Sequence, residues 1–172
     1  MSNKAETAHE RYNLRVVECR LASIVLAMEL GKSQAEALEY STLSQVQQLV
    51  GSLDESEKAA GEKLHEGAYS PDELESKLGK SLEALFADSP ASLLVLKHNS
   101  NGFQLRNRSV HVYSEAARVH KFAAECAANT SLQALGDLMN ASHESCRELY
   151  EVSINHQRRA FVIEGDKHRF WD

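Results

Sequence analysis

Ser142, His143 and Ser145 carry the side-chain types from which a nucleophile and its general base are built. Neighbours one and three positions apart on a helix seldom reach triad geometry without a third group to orient the base. Packing is therefore the expected role of these three. A second cluster, His111, Tyr113, Ser114 and Glu115, holds donors, acceptors and a carboxylate within five residues. It too is expected to pack a long helix. His111 and His120 stand nine residues apart, about two and a half helical turns, too far to share a metal ion. The three cysteines, Cys19, Cys126 and Cys146, form no CxxC pair and no ligand spacing with the eight histidines. The glycine-rich phosphate loops, the HExxH zinc motif and the nucleophile elbow do not occur. Asn129-Thr-Ser and Asn140-Ala-Ser match the glycosylation triplet and are read as chance matches or caps.

The elements that must position these residues are helical by pattern. Leu14, Val17, Leu21, Ile24, Val25 and Met28 recur every three or four positions, predicting one helix from about Lys4 to Leu30. Glu10, Glu18 and Arg20 are read as lying largely off that stripe. Gly31 is expected to end the helix in a left-handed turn. Ser33-Gln-Ala-Glu36 spells a capping box for a short helix to about Tyr40. Another helix is expected over 43–50. Residues 51–69 are polar and weakly periodic, and read as a surface connector with a helical turn or two.

Ser70-Pro71-Asp72-Glu73 is a strong helix start, with serine as cap, proline in the first turn and glutamate completing a box. Gly79 ends that helix, and Ser81 to Phe86 repeats the pattern. Residues 92–96 fit a helical turn or a buried strand, because so short an apolar run does not distinguish them. After the Asn99–Gly102 loop a long helix is expected over 103–128, with Leu105, Val112, Ala116, Val119, Ala123 and Cys126 on its buried side. Arg106, Arg108, Arg118 and Lys121 are read as lying elsewhere. A last helix is expected over 132–151, burying Leu135, Leu138, Met139, Cys146, Leu149 and Tyr150. Residues 154–172 show no helical stripe. There Arg159–Ile163 reads as a short strand, Gly165-Asp166 as a turn, and Trp171 is the sole tryptophan.

Composition agrees with helices. The 172 residues include 2 prolines, 8 glycines and 6% aromatics, too few turn formers for a many-stranded fold. A formal net charge of -6 argues against a general nucleic-acid binder, which needs a basic face. The longest apolar stretch, 21–28, is interrupted by Ser23 and falls far short of a membrane span. With no apolar signal core at the start and scattered thiols, a cytoplasmic protein is expected.

Three strings say more. They are Tyr12-Asn-Leu-Arg-Val-Val-Glu-Cys-Arg-Leu-Ala-Ser23, then Phe103-Gln-Leu-Arg with Val110-His-Val-Tyr-Ser-Glu-Ala-Ala-Arg-Val119, then Leu135-Gly-Asp-Leu-Met-Asn-Ala-Ser-His-Glu-Ser-Cys-Arg-Glu-Leu-Tyr-Glu-Val-Ser153. In this order and spacing the chain resembles the galactokinases, in particular the plant-type enzymes and the related N-acetylgalactosamine kinases of the GHMP kinase superfamily. The resemblance covers about residues 2–153. It implies an ATP-dependent transfer of phosphate to the anomeric hydroxyl of galactose, with Mg²⁺ offsetting phosphate charge.

The resemblance places the sugar-gripping signature, the phosphate loop and the catalytic aspartate ahead of Met1, and a second glycine-rich motif beyond residue 153. No catalytic residue and no complete ATP or Mg²⁺ site is therefore expected in this chain, and no metal ligand. Tyr12 matches the aromatic residue at the family's sugar pocket, where a phenol bonds a hydroxyl and its ring covers a sugar face. Asn3 and Lys4 resemble an Asn-Lys pair near the nucleotide. At Ile154-Asn-His-Gln the match breaks, since the family continues with Cys-Pro-Glu-Leu. The domain reading is thus 1–153 as a partial galactokinase C-terminal-half region and 154–172 as a divergent tail.

The fold class expected is mainly α, the helical segment of the C-terminal domain of the α+β GHMP kinase fold with little or no sheet. Galactose and ATP are the implied ligands, with no nucleic acid and no membrane. Helical faces left open by missing strands would favour self-association. The alternatives are a non-catalytic galactose-sensing or protein-binding helical module, and an N-acetylgalactosamine kinase segment.

Overall fold

The structure, a computed structural model, describes residues 3–128 and 131–151, with side chains from residue 11 onward. The strand, turn and tryptophan expected in 154–172 lie outside the described residues.

Helix α1 (Asn3–Glu29) is the axis of the molecule. Val17, Leu21, Ile24, Val25 and Leu26 on it are fully buried. Each such side chain stabilises the fold by roughly 1.5–3 kcal/mol through removal from water. Its end comes at Gly31, whose φ of +96° is the left-handed turn expected there. Helix α2 (Gln34–Ala37) follows with the Ser33–Glu36 capping box formed in both directions. Helix α3 (Leu43–Val50) has a second box, Thr42 with Gln45. The polar stretch that follows departs from expectation. Instead of a connector it forms α4 (Leu53–Lys63), capped by Ser52. Its inward face is Ser56 and Ala60, both fully buried. Small residues make no apolar stripe, so the period was invisible, yet they let α4 lie close to its neighbours.

Helix α5 (Pro71–Leu78) starts at Ser70 as expected, but only half the box forms. Ser70 accepts from the Glu73 N–H at 3.1 Å, while the Glu73 carboxylate turns away to His65 Nε2, also at 3.1 Å. Helix α6 (Leu82–Leu85) is short. The ambiguous run over 92–96 is helical, inside α7 (Pro90–His98). Ser89 as cap and Pro90 in the first turn decide it.

Helix α8 (Leu105–Ala127) begins two residues later than expected. Phe103 is held instead in an antiparallel bridge with Tyr69, each N–H donating to the other's carbonyl at 2.9 Å. Gly102 makes this approach possible. Its φ is +76°, and a Cβ there would lie 2.7 Å from the Tyr69 carbonyl oxygen. This isolated bridge is the only β pairing among the described residues. Helix α9 (Leu132–Glu148) is capped by Ser131 and ends three residues earlier than expected.

Helix α1 packs against α2, α3, α4, α7 and α8, while α4 lies along α8 and α9 packs chiefly on α8. Two expected faces are corrected by this arrangement. Val119 is 66% exposed and Ala123 and Cys126 are exposed too, because the second half of α8 runs past the core. Met139, expected to be buried, is 64% exposed for the same reason. Among the described residues no helix is long and apolar enough to cross a membrane.

Candidate functional site

Tyr12 lies in the first half of α1 and is 66% exposed. Asn3 and Lys4 occupy the first turn of the same helix, and their side chains lie outside the described ones. Eight helical residues separate Lys4 from Tyr12, a rise of about 12 Å along the axis. Of two surface grooves among the described residues, Tyr12 lines neither. One, of about 430 Å³, lies by α2 and α3 with Lys32, Glu36, Tyr40 and Gln45 on its walls. The other, of about 240 Å³, lies between α8 and α9 and is mostly apolar, with Val119, Phe122, Leu138 and Met139.

The densest polar chemistry is buried three residues beyond Tyr12. Arg15 and Glu18 on α1 meet Arg108 on α8 and Glu151 after α9. Glu18 is 1% exposed and so is Arg108. One Glu18 oxygen accepts from Arg108 Nε at 2.7 Å and also from Arg15. The other accepts from the Gln104 N–H at 2.8 Å, at the start of α8. A negative charge belongs there, since a helix N-terminus is partially positive. Arg108 reaches onward to the Leu149 carbonyl and, at 2.6 Å, to Glu151. Arg15 also reaches Glu151, at 3.3 Å. Two guanidiniums thus face two carboxylates, of which Glu18 is buried and Glu151 is open to solvent. The Nε of Arg15 has no hydrogen-bond partner among the described residues.

This network was missed in the sequence because both central residues are charged. The spacing held a signal nonetheless. Glu18 stands seven residues before Val25, nearly two full turns, and so lies on the apolar stripe rather than off it. Arg108 falls three after Leu105 and four before Val112, on the face that α8 buries. Both sequence-stripe assignments are corrected on that ground.

A second polar seam joins α8 to α9. His111 Nδ1 and Ser145 Oγ are 2.8 Å apart and buried, and the His111 ring stacks on Tyr150 at 4.3 Å. Burial pushes the His111 imidazole below its ordinary range. Ser142 donates to Glu115 at 2.6 Å, and Arg118 also pairs with Glu115. Burial alone would raise the Glu115 carboxyl, but the Ser142 hydroxyl and Arg118 guanidinium outweigh it and hold it low. The structure thus separates Ser142, Ser145 and His143. The two serines bond different partners on α8, and His143 is exposed. Tyr113 donates its phenol proton to the Leu43 carbonyl at 2.9 Å, tying α8 to the start of α3. Burial raises the Cys19 thiol to about 11, with Glu18 adding to the shift, so it stays a protonated, unreactive group.

Among the described residues no group of three His, Cys, Asp or Glu is placed to hold a metal ion. The N-termini of seven helices are closed by their own serine or threonine caps, and that of α8 by Glu18. The starts of these eight helices are thus occupied by the protein's own groups.

The described residues thus form a mainly helical segment whose buried polar groups hold its helices together. Its relatives are kinases. The chain is 34% identical over 180 residues to the galactokinase of Dictyostelium discoideum, covering 90% of this chain and 34% of that one. Against the galactokinase of Saccharomyces cerevisiae it is 30% identical over 191 residues, covering 89% of this chain and 34% of the relative. The galactokinase of Candida parapsilosis gives 30% over 181 residues, with 89% and 34% covered. The chain is thus a galactokinase-like segment spanning about a third of the length of the curated relatives it matches. No family model matches it.

Proposed function

We propose that the chain serves as the C-terminal-half helical segment of a galactokinase, which transfers the γ-phosphate of ATP to the anomeric hydroxyl of galactose with Mg²⁺. The observation that carries this is the match to three galactokinases over about nine-tenths of the chain. The finer reading assigns the segment to the second domain of the GHMP kinase fold, in the plant-type branch and in the cytoplasm. It makes 1–153 a partial galactokinase C-terminal-half region and 154–172 a divergent tail of unknown role. Tyr12 touches the sugar, and Lys4 with Asn3 touches the nucleotide. An exposed phenol on α1, beside the fixed Arg15–Glu18 pair, suits that role, because nothing within the described fold consumes its hydroxyl or ring.

On this reading the 172 residues alone carry out no transfer. Incubation with galactose, ATP and Mg²⁺ is expected to release ADP at the background rate, and sugar 1-phosphate above background would refute the inactivity. A chimera of the Dictyostelium discoideum enzyme carrying residues 2–153 in place of its own corresponding third is expected to be active. In that chimera Tyr12→Ala is expected to raise the KM for galactose about tenfold, the scale of one lost hydrogen bond and ring contact. A folded but inactive chimera would overturn the segment reading.

One observation favours a second reading, a role in protein contact. Val119, Phe122, Leu132 and Met139 leave apolar surface open along α8 and α9. The isolated chain is expected to self-associate through it. Light scattering across a concentration series checks this, and a monomer throughout would rule it out.

A further inference from the structure

We infer that α9 is an acid-sensitive latch: its docking on α8 is pinned by neutral His111, and proton uptake there releases it as a unit. The argument begins with what holds α9. Ser145 is its sole buried residue among the described ones. The apolar residues of its first half line an open groove rather than a closed core. What remains is polar: His111 to Ser145, Ser142 to Glu115, and Arg108 to the Leu149 carbonyl and Glu151. His111 lies at the centre of that seam, 7% exposed, bonded on its edge and covered on its face by Tyr150. A helix held by hydrogen bonds with little apolar burial sits at the low end of the local stability range.

The surroundings of His111 make its charge costly. From α8 itself Arg118 and Arg108 repel an imidazolium and Glu115 attracts it, while from α9 the Ser145 backbone also favours the charged ring, but burial outweighs both. From the end of α9 comes Tyr150, a neutral ring that offers no compensating charge. Behind Tyr150 stands Cys19 of α1, bonded to its hydroxyl. Burial raises Tyr150 to about 12 and Cys19 to about 11, so neither titrates near neutrality. Arg15, Glu18 and Glu151 complete the shell through Arg108.

The sign follows from linkage. Undocking exposes His111 to water, where its pKa returns to about 6.5. In the docked state it is lower, so the undocked state binds more protons below that value. Docking is thus at full strength above pH 6.5 and weakens as pH falls beneath it. The undocking constant rises by at most about tenfold per pH unit, the limit for one proton. Glu115 acts in a lower window. Its depressed carboxyl supports docking above its ordinary range near 4.5 and is lost only as pH falls through the docked value.

Amide hydrogen exchange on the full chain tests this. Protection factors in 132–148 are expected to fall several-fold between pH 7 and 5.5, while those in 17–27 hold. His111→Asn, which keeps a hydrogen-bonding group and cannot charge, is expected to flatten that dependence. Equal loss in both helices, or an undiminished dependence in the variant, would overturn the proposal. If the variant fails to dock α9 even at pH 7, the wild-type NMR titration of the His111 ring decides. A midpoint below 6.5 supports the latch, and one at or above 6.5 refutes it.

Discussion

Glu18→Ala is expected to lower the stability of the chain by about 3–5 kcal/mol, the cost of breaking a buried ion pair by removing one partner. That is a large share of the total for a domain of this size. The reason lies in what the glutamate leaves behind. Both Arg15 and Arg108 lose an acceptor, and the Gln104 N–H at the start of α8 loses its own. Arg108 is 1% exposed and has no route to water in the folded state. Its remaining partners, Glu151 and the Leu149 carbonyl, lie on the α9 side, so the direct ion pair between α1 and α8 is lost and only the indirect bridge through Glu151 remains. Thermal melts followed by circular dichroism should show a midpoint roughly 6–20 °C lower.

The contrast with Glu151→Ala sharpens the test. Glu151 contacts both arginines, yet its side chain is 55% exposed. Water can replace what it gives, and the loss is expected to stay near 1 kcal/mol. Equal effects from the two substitutions would mean that burial does not set the worth of these charges, and the account of the network would fall.

The legible parts of this fold are those where one residue type dictates one backbone state. Ser33 with Glu36, Ser70 with Pro71, and Gly31 each marked a helix boundary where the structure has one. The apolar stripe of α1 was equally plain. What stayed hidden fell into two kinds. In α4 the inward face is serine and alanine, which carry little hydropathy and so no period. In Glu18 and Arg108 the charge suggests a solvated face, whereas each is buried and paired with the other. The site residues were legible only through resemblance. Tyr12 is one exposed phenol among five tyrosines, and nothing in its local spacing marks it.

Phe103→Ala is the other change expected to cost about 3–5 kcal/mol, for a reason of packing rather than charge. Phe103 reads in sequence as the first residue of α8, an apolar side chain in a helical period. The structure gives it a different task. Its ring is 1% exposed, and its backbone exchanges two hydrogen bonds with Tyr69. It therefore fastens the 64–70 segment to the turn between α7 and α8. Tyr69 in turn receives the His65 N–H on its hydroxyl at 3.1 Å and stacks on the His65 ring. Removing the Phe103 ring leaves a void in the buried core beneath this junction, and close-packed interiors relax only in part around such a void. Phe103→Leu fills most of the space and is expected to cost less than about 1.5 kcal/mol. Urea unfolding measures both, with the m-value unchanged if the native state keeps its compactness. A loss below 1 kcal/mol for the alanine variant would mean that the backbone bridge alone holds the junction. In that case Gly102, which permits the bridge, would carry the burden, and Gly102→Val would become the more damaging change.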